Sequence, residues 1–125
     1  MTTRVAVMDG STDYLDLFAL TIARVPELEL IGTAGDGYSA VRLAVESDAD
    51  VALLDLDLPD VDVFAAAWEI RRLAPGTTVF LTSCAPVDEV RRRQAEELDL
   101  YVFEKLKLVA TIELLARLDV QRRAA

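Results

Sequence analysis

The sequence contains no histidine and a single cysteine among 125 residues. Without histidine there can be no Ser-His-Asp triad and no His-ligated metal site, and one cysteine can neither close an internal disulfide nor build a zinc cluster. Basic residues are also few: 13 Lys and Arg stand against 22 Asp and Glu, a net charge of −9. That balance argues against binding free nucleic acid, which needs a basic surface to displace phosphate counterions. Apolar runs are short, so no segment is expected to span a membrane. The opening MTTRVAVMDG lacks the charged-then-apolar layout of a secretory signal, and a cytoplasmic protein is the expectation.

What is present is a 53% apolar composition, too high for a disordered chain, in a length that suits one domain. No repeat or linker interrupts it, so residues 1–125 read as a single domain with nothing attached. Charge is uneven: residues 1–70 hold 14 acids and 3 bases, whereas residues 71–125 hold 8 acids and 10 bases.

Apolar runs alternate with helical patterns five times. Strands are expected over 5–8, 28–34, 51–54, 78–82 and 100–104, and helices over about 14–24, 38–46, 62–73, 87–98 and 108–118. Asp13 is a candidate cap for the first helix. The unbroken run Val51-Ala52-Leu53-Leu54 suits a strand covered on both faces. Five strand–helix units with short connections predict an α/β fold, a doubly wound five-stranded parallel sheet with right-handed crossovers. In such a fold sites lie at the carboxyl ends of the strands.

Asp9, Asp55, Asp57, Thr82 and Lys105 all fall at those ends. Clustered carboxylates raise one another's pKa unless a cation intervenes, and oxygen-only ligands suit a hard ion such as Mg²⁺. A lysine and a hydroxyl beside them suit phosphoryl oxygens. Together these are the parts that phosphoryl transfer uses, since its catalysis is mostly positioning and charge neutralisation.

The stretches VAVMDG, LIGTAGDG, DVALLDLDLPDVD, VFLTS and YVFEK carry a resemblance to the receiver domains of two-component response regulators, over the whole chain. The resemblance implies a flavodoxin-like (βα)5 receiver fold and a phospho-accepting signalling switch. Asp55 would be the acceptor, with Pro59 four residues on as in the family, Thr82 would contact the phosphoryl group and Lys105 would pair with it. Asp9, Asp55 and the backbone carbonyl of Asp57 would hold Mg²⁺. The implied partner is a histidine kinase or phosphotransfer protein, with no nucleic acid and no membrane, and the stretch around 29–37 looks most like receivers that precede helix-turn-helix output domains. A protein that is not itself an enzyme is the expectation.

Departures from the family pattern shape that reading. The second acid usual after the first strand is Gly10 here, which predicts weakened Mg²⁺ binding unless Asp57 turns its carboxylate inward. Leu106 replaces the usual proline after Lys105, so a trans bond is expected, a cis bond without proline costing about 2.5–4 kcal/mol. The aromatic switch position holds Val102, with Tyr101 one residue early, and Val63 stands where Gly is common. The alternative function is a degenerate pseudo-receiver that binds partners without phosphorylation. A weaker one is a small phosphatase, because Asp55-Leu56-Asp57 resembles the haloacid-dehalogenase aspartate motif.

Other residues have plainer readings. Cys84 reads as inert, Phe64 and Trp68 as an i, i+4 packing pair, and Arg91-Arg92-Arg93 as a solvated helix face or a meeting point for an acidic partner. Leu17, Leu20, Leu114 and Leu118 lie off the inner stripes of the first and last helices. They would either form a homodimer patch or pack against one another within the chain.

Overall fold

The structure, a computed structural model, describes residues 2–124, with side chains described through residue 117. Strands and helices alternate: β1 (Thr3–Met8), α1 (Thr12–Ala23), β2 (Leu28–Ala34), α2 (Gly37–Ser47), β3 (Val51–Asp55), α3 (Val63–Leu73), β4 (Thr78–Ser83), α4 (Glu89–Glu97), β5 (Val102–Glu104) and α5 (Leu108–Ala124). All five strands are parallel, in the order β2-β1-β3-β4-β5. The doubly wound α/β fold expected from the alternation is the fold observed.

Successive strand side chains point to opposite faces, and the central strands are apolar at every position, so each supplies two cores. Ala6, Met8, Ala52, Leu54, Val79 and Leu81 pack with Ala40, Ala44, Phe64, Ala67 and Ile70 of α2 and α3. Val5, Val7, Val51 and Leu53 face the other way, toward Phe18 and Ile22 of α1 and Leu108, Ile112 and Leu115 of α5. Burying each such Val, Leu or Ile side chain fully is worth roughly 1.5–3 kcal/mol. Chain order makes the connections leave β1 and β3 toward opposite faces, which opens the sheet between their carboxyl ends.

Helix starts are set by side-chain caps. Asp36, Asp62 and Asp88 cap α2, α3 and α4 by accepting from backbone N–H groups of the first turn. For α1 the expected cap, Asp13, is corrected to Ser11. Ser11 has extended backbone and its hydroxyl accepts from Tyr14 N at 3.3 Å, while Asp13 lies inside the first turn, where its charge suits the helix dipole. The last strand is also shorter than expected: Leu100 and Tyr101 precede β5 rather than begin it. No cis peptide bond occurs among the described residues, in line with a trans bond before Leu106. Phe64 is buried, but Trp68 turns outward and lies under Arg72, whose guanidinium is 5.8 Å from the ring centre.

Gly37, the first residue of α2, is packed against the loop before α3. Its N–H donates to Asp60 Oδ1 at 2.7 Å, and a Cβ at this position would lie 2.3 Å from Val61 Cβ. Gly37→Ala is expected to lower stability by about 1–3 kcal/mol, as overpacking does. Val61→Gly in the same chain, which removes the crowding Cβ, should restore part of that loss in urea denaturation. An additive double variant would show the crowding to be unimportant.

Candidate functional site

The carboxyl ends of β1, β3 and β4 bring Asp9, Asp55 and Thr82 together, each almost fully buried. Asp55 lies beside Thr82 in the β3–β4 register, and Leu56 N donates to Thr82 O at 2.8 Å. Lys105 begins a 3₁₀ turn after β5 and reaches back across this edge, itself 6% exposed. Its ammonium is 2.7 Å from Asp9 Oδ2 and 3.2 Å from Asp55 Oδ1. Four of the five residues singled out in sequence, Asp9, Asp55, Thr82 and Lys105, thus share this edge, although 95 residues lie between Asp9 and Lys105 in the chain.

Local geometry holds each carboxylate. Ser11 N donates to Asp9 Oδ1 at 2.9 Å, and Asp57 N donates to Asp55 Oδ1 at 3.1 Å. Asp9 Oδ2 is buried, and the Lys105 ammonium 2.7 Å away is the charge that answers it. Burial raises the pKa of Asp55, assisted by the negative Asp9. The Asp57 N–H and Lys105 oppose that rise without cancelling it. For Lys105, burial acts to lower the pKa, but Asp9 and Asp55 together outweigh it and the net direction is upward. One ammonium thus serves two carboxylates, and the cluster keeps an excess negative charge.

Tyr14 also belongs to the site, although the sequence reading gives it no role. Its ring centre lies 4.3 Å from Lys105 Nζ, a cation–π contact that steadies the ammonium. The usable signal was its place in the first turn of the helix that follows Asp9.

Other acids do not join them. Asp57 does not turn its carboxylate inward: Oδ1 pairs with Arg91 Nη1 at 2.8 Å, and the side chain is exposed. That correction follows from α4 standing opposite the β3–α3 loop, where an arginine competes for the carboxylate. Asp60 accepts from Gly37 N, and Asp62 caps α3. Among the described residues no group of three or more Asp, Glu, His or Cys is placed to hold a metal.

The donor set still suits a hydrated Mg²⁺. Two carboxylates are a common complement for this ion, which keeps several waters, and Asp9 Oδ2 is a buried oxygen of that pair. The Gly10 position is exposed, and a Cβ there would be 3.5 Å from Pro59 Cδ, so a longer side chain has room.

Two outcomes follow from this electrostatic layout. Because the Asp55 pKa is raised, its ionised form opposes folding, and stability from this group falls as pH rises through the raised value. Asp55→Asn removes that opposition. Its melting temperature at neutral pH should exceed the parent's by about 3–5 °C per kcal/mol relieved. The gap should close at acid pH, where Asp55 is protonated; an Asn variant that melts lower at neutral pH would contradict this account. Gly10→Asp adds a third carboxylate and should tighten Mg²⁺ binding in calorimetric titration, whereas unchanged affinity would remove the missing acid as the cause of weak binding.

Comparison with known proteins places the geometry. No family model matches the sequence. A protein-glutamate methylesterase/protein-glutamine glutaminase from Methanospirillum hungatei is 29% identical over 104 residues, 82% of this chain and 30% of that protein. The transcriptional regulatory protein LiaR of Bacillus subtilis is 42% identical over 66 residues, 52% of this chain and 31% of LiaR. The chain thus spans under a third of these curated relatives. The signal receiver domain of NarL from Mycobacterium tuberculosis superposes with a TM-score of 0.79 at 24% identity, covering 93% of this chain and 97% of that domain. These relatives correct one expectation. The reading of a protein that is not an enzyme is overturned by matches to proteins named as methylesterases and glutaminases, since a stretch of this kind also occurs within longer enzymes. The chain therefore has the fold of a response-regulator receiver domain, with Asp9, Asp55, Thr82 and Lys105 at the carboxyl edge of the sheet.

Proposed function

We propose that this domain is a phospho-accepting switch in two-component signalling, with Asp55 as the acceptor. The observation that carries the reading is the buried Asp55 carboxylate at the end of β3, beside Thr82 and 3.2 Å from the Lys105 ammonium. The ammonium and the Asp57 N–H both meet Oδ1. Attack is therefore assigned to Oδ2. That oxygen forms the new O–P bond as the P–N bond of a phosphohistidine, or the P–O bond of an acyl phosphate, breaks. The leaving group departs with the bonding electron pair, and an imidazole leaving group takes its proton from solvent.

Charge neutralisation is the main demand of this step. Lys105 faces the developing charge, and the Thr82 hydroxyl is the donor for a phosphoryl oxygen. Asp9, Asp55 and the Asp57 carbonyl would hold Mg²⁺, which when bound supplies further neutralisation of phosphoryl oxygens. The product carries about −1.5 to −2 in additional charge.

A histidine kinase or phosphotransfer protein is the proposed donor, with the cytoplasm as the compartment where the two meet. The proposed self-association surface is the exposed apolar part of α1 and α5. Leu17, Leu20 and Leu114 are 44%, 62% and 46% exposed, so they do not bury one another within the chain. Leu118 of the same expected patch lies outside the residues whose side chains are described. Among the described residues no helix is long and apolar enough to cross a membrane. The closed Asp9–Lys105–Asp55 cluster and the absent acid at Gly10 favour, as the second reading, a pseudo-receiver that binds partners without phosphorylation.

Incubation with acetyl phosphate and Mg²⁺ should add the mass of one phosphoryl group, and Asp55→Asn should abolish the gain. No gain at high Mg²⁺ would set this reading aside in favour of the pseudo-receiver, while sustained hydrolysis of a phosphate ester would support the phosphatase.

A further inference from the structure

Helix α4 is an unusual member of the fold because it has little apolar purchase on the sheet. Ala95 is its one buried residue, and its sequence, EVRRRQAEE, is otherwise polar but for Val90, which is 70% exposed. An element with so few buried contacts sits at the low end of local stability, and its placement rests on polar ties. At its C-terminal end Arg71 of α3 donates to the carbonyls of Leu98 and Asp99. At its N-terminal end Arg91 pairs with two acids: Nη1 is 2.8 Å from Asp57 Oδ1, and Nε is 3.2 Å from Asp88 Oδ2. Arg91 differs in this from its neighbours. Its side chain is 32% exposed, against 60% and 72% for Arg92 and Arg93, which pair with Glu89 on the same helix.

Asp57 faces two ways. Its carboxylate holds Arg91, while its backbone N–H donates to Asp55 Oδ1 at 3.1 Å. A continuous chain of contacts therefore runs from the Asp55 carboxylate, through one residue of the β3–α3 loop, to the first turn of α4. On β5 the aromatic side chain is Phe103, opposite Thr82 in the register and packed against Phe80. Val102 is half-buried on β5, and Tyr101 is 72% exposed ahead of the strand.

We propose that Arg91 is a positioning residue that couples the state of Asp55 to the placement of α4 through Asp57. Any change at Asp55 that weakens or redirects its acceptance of the Asp57 N–H shifts the loop, and the ion pair passes the shift to α4. With a phosphoryl group on Asp55, which is where this inference rests on the acceptor reading, added negative charge beside the loop draws the Arg91 guanidinium from Asp57 and releases the helix start.

Amide hydrogen exchange on a double-variant cycle tests this without requiring phosphorylation. Asp55→Asn alone should speed exchange at the amides of Arg91, Arg92 and Arg93 several-fold. Arg91→Gln alone should do the same, and adding Asp55→Asn to it should produce no further change. Asp57→Asn should reproduce Arg91→Gln, and Arg91→Lys should restore part of the response to Asp55→Asn, as a retained charge would and a merely structural side chain would not. Equal responses to Asp55→Asn with and without Arg91, or no response of α4 in either background, would overturn the coupling. Acetyl phosphate treatment, read first by mass, tests the acceptor reading separately. An absent mass gain would remove that reading while the Asp55→Asn cycle still decides the role of Arg91.

Discussion

One ammonium held between two buried carboxylates is the constraint on which this edge of the molecule depends. Removing three charges from water costs several kcal/mol per ion, and mutual attraction repays it only when geometry is good and the remaining lone pairs find donors. The flanking structure supplies the partners: Ser11 N donates to Asp9, Asp57 N donates to Asp55, and the ammonium lies over the electron-rich face of Tyr14. The bookkeeping of charge is nevertheless uneven. Two negatives share one positive, and burial, with the Asp9 charge adding to it, leaves the pKa of Asp55 raised. A site in that condition favours whatever brings positive charge, which is the physical sense in which it suits a cation or a cation-assisted group transfer.

The acidity of the first 70 residues has several sources. Asp9 and Asp55 stand in the buried cluster; Asp36 and Asp62 cap helices, Asp60 ties α2 to the loop before α3, and Asp57 pairs with Arg91. Of these six acids, only Asp9 and Asp55 therefore charge the pocket. The rest satisfy backbone N–H groups or a guanidinium, work that any short acidic side chain at a helix start performs. Gly10 narrows the set further, since no third carboxylate replaces the one it lacks.

Much of this was readable along the chain because buried parallel strands announce themselves. Val5–Met8 and Val51–Leu54 are apolar without interruption, and the strand-then-helix rhythm leaves few topologies once crossovers are right-handed. Where signals were short-range and competing, the reading slipped. Ser11 and Asp13 both qualify as caps, and only the extended backbone at Ser11 selects between them. Leu100 and Tyr101 have strand-like side chains, yet the pairing of β4 with β5 begins with Leu81 opposite Val102. Asp57 looked available to the pocket because nothing nearby in sequence competes for it; its partner lies 34 residues away on another helix.

By itself the sequence determined the alternating fold and which residues end each central strand, because side-chain periodicity and turn chemistry act within a few residues. It also determined that no site here uses histidine or a pair of cysteines, since histidine is absent and cysteine is single. Tertiary structure alone decided which carboxylates share that lysine, that Tyr14 covers it, and that Asp57 belongs to Arg91 rather than to the pocket. Ion pairing depends on separation in space and on burial, and neither is written in the spacing of residues along the chain.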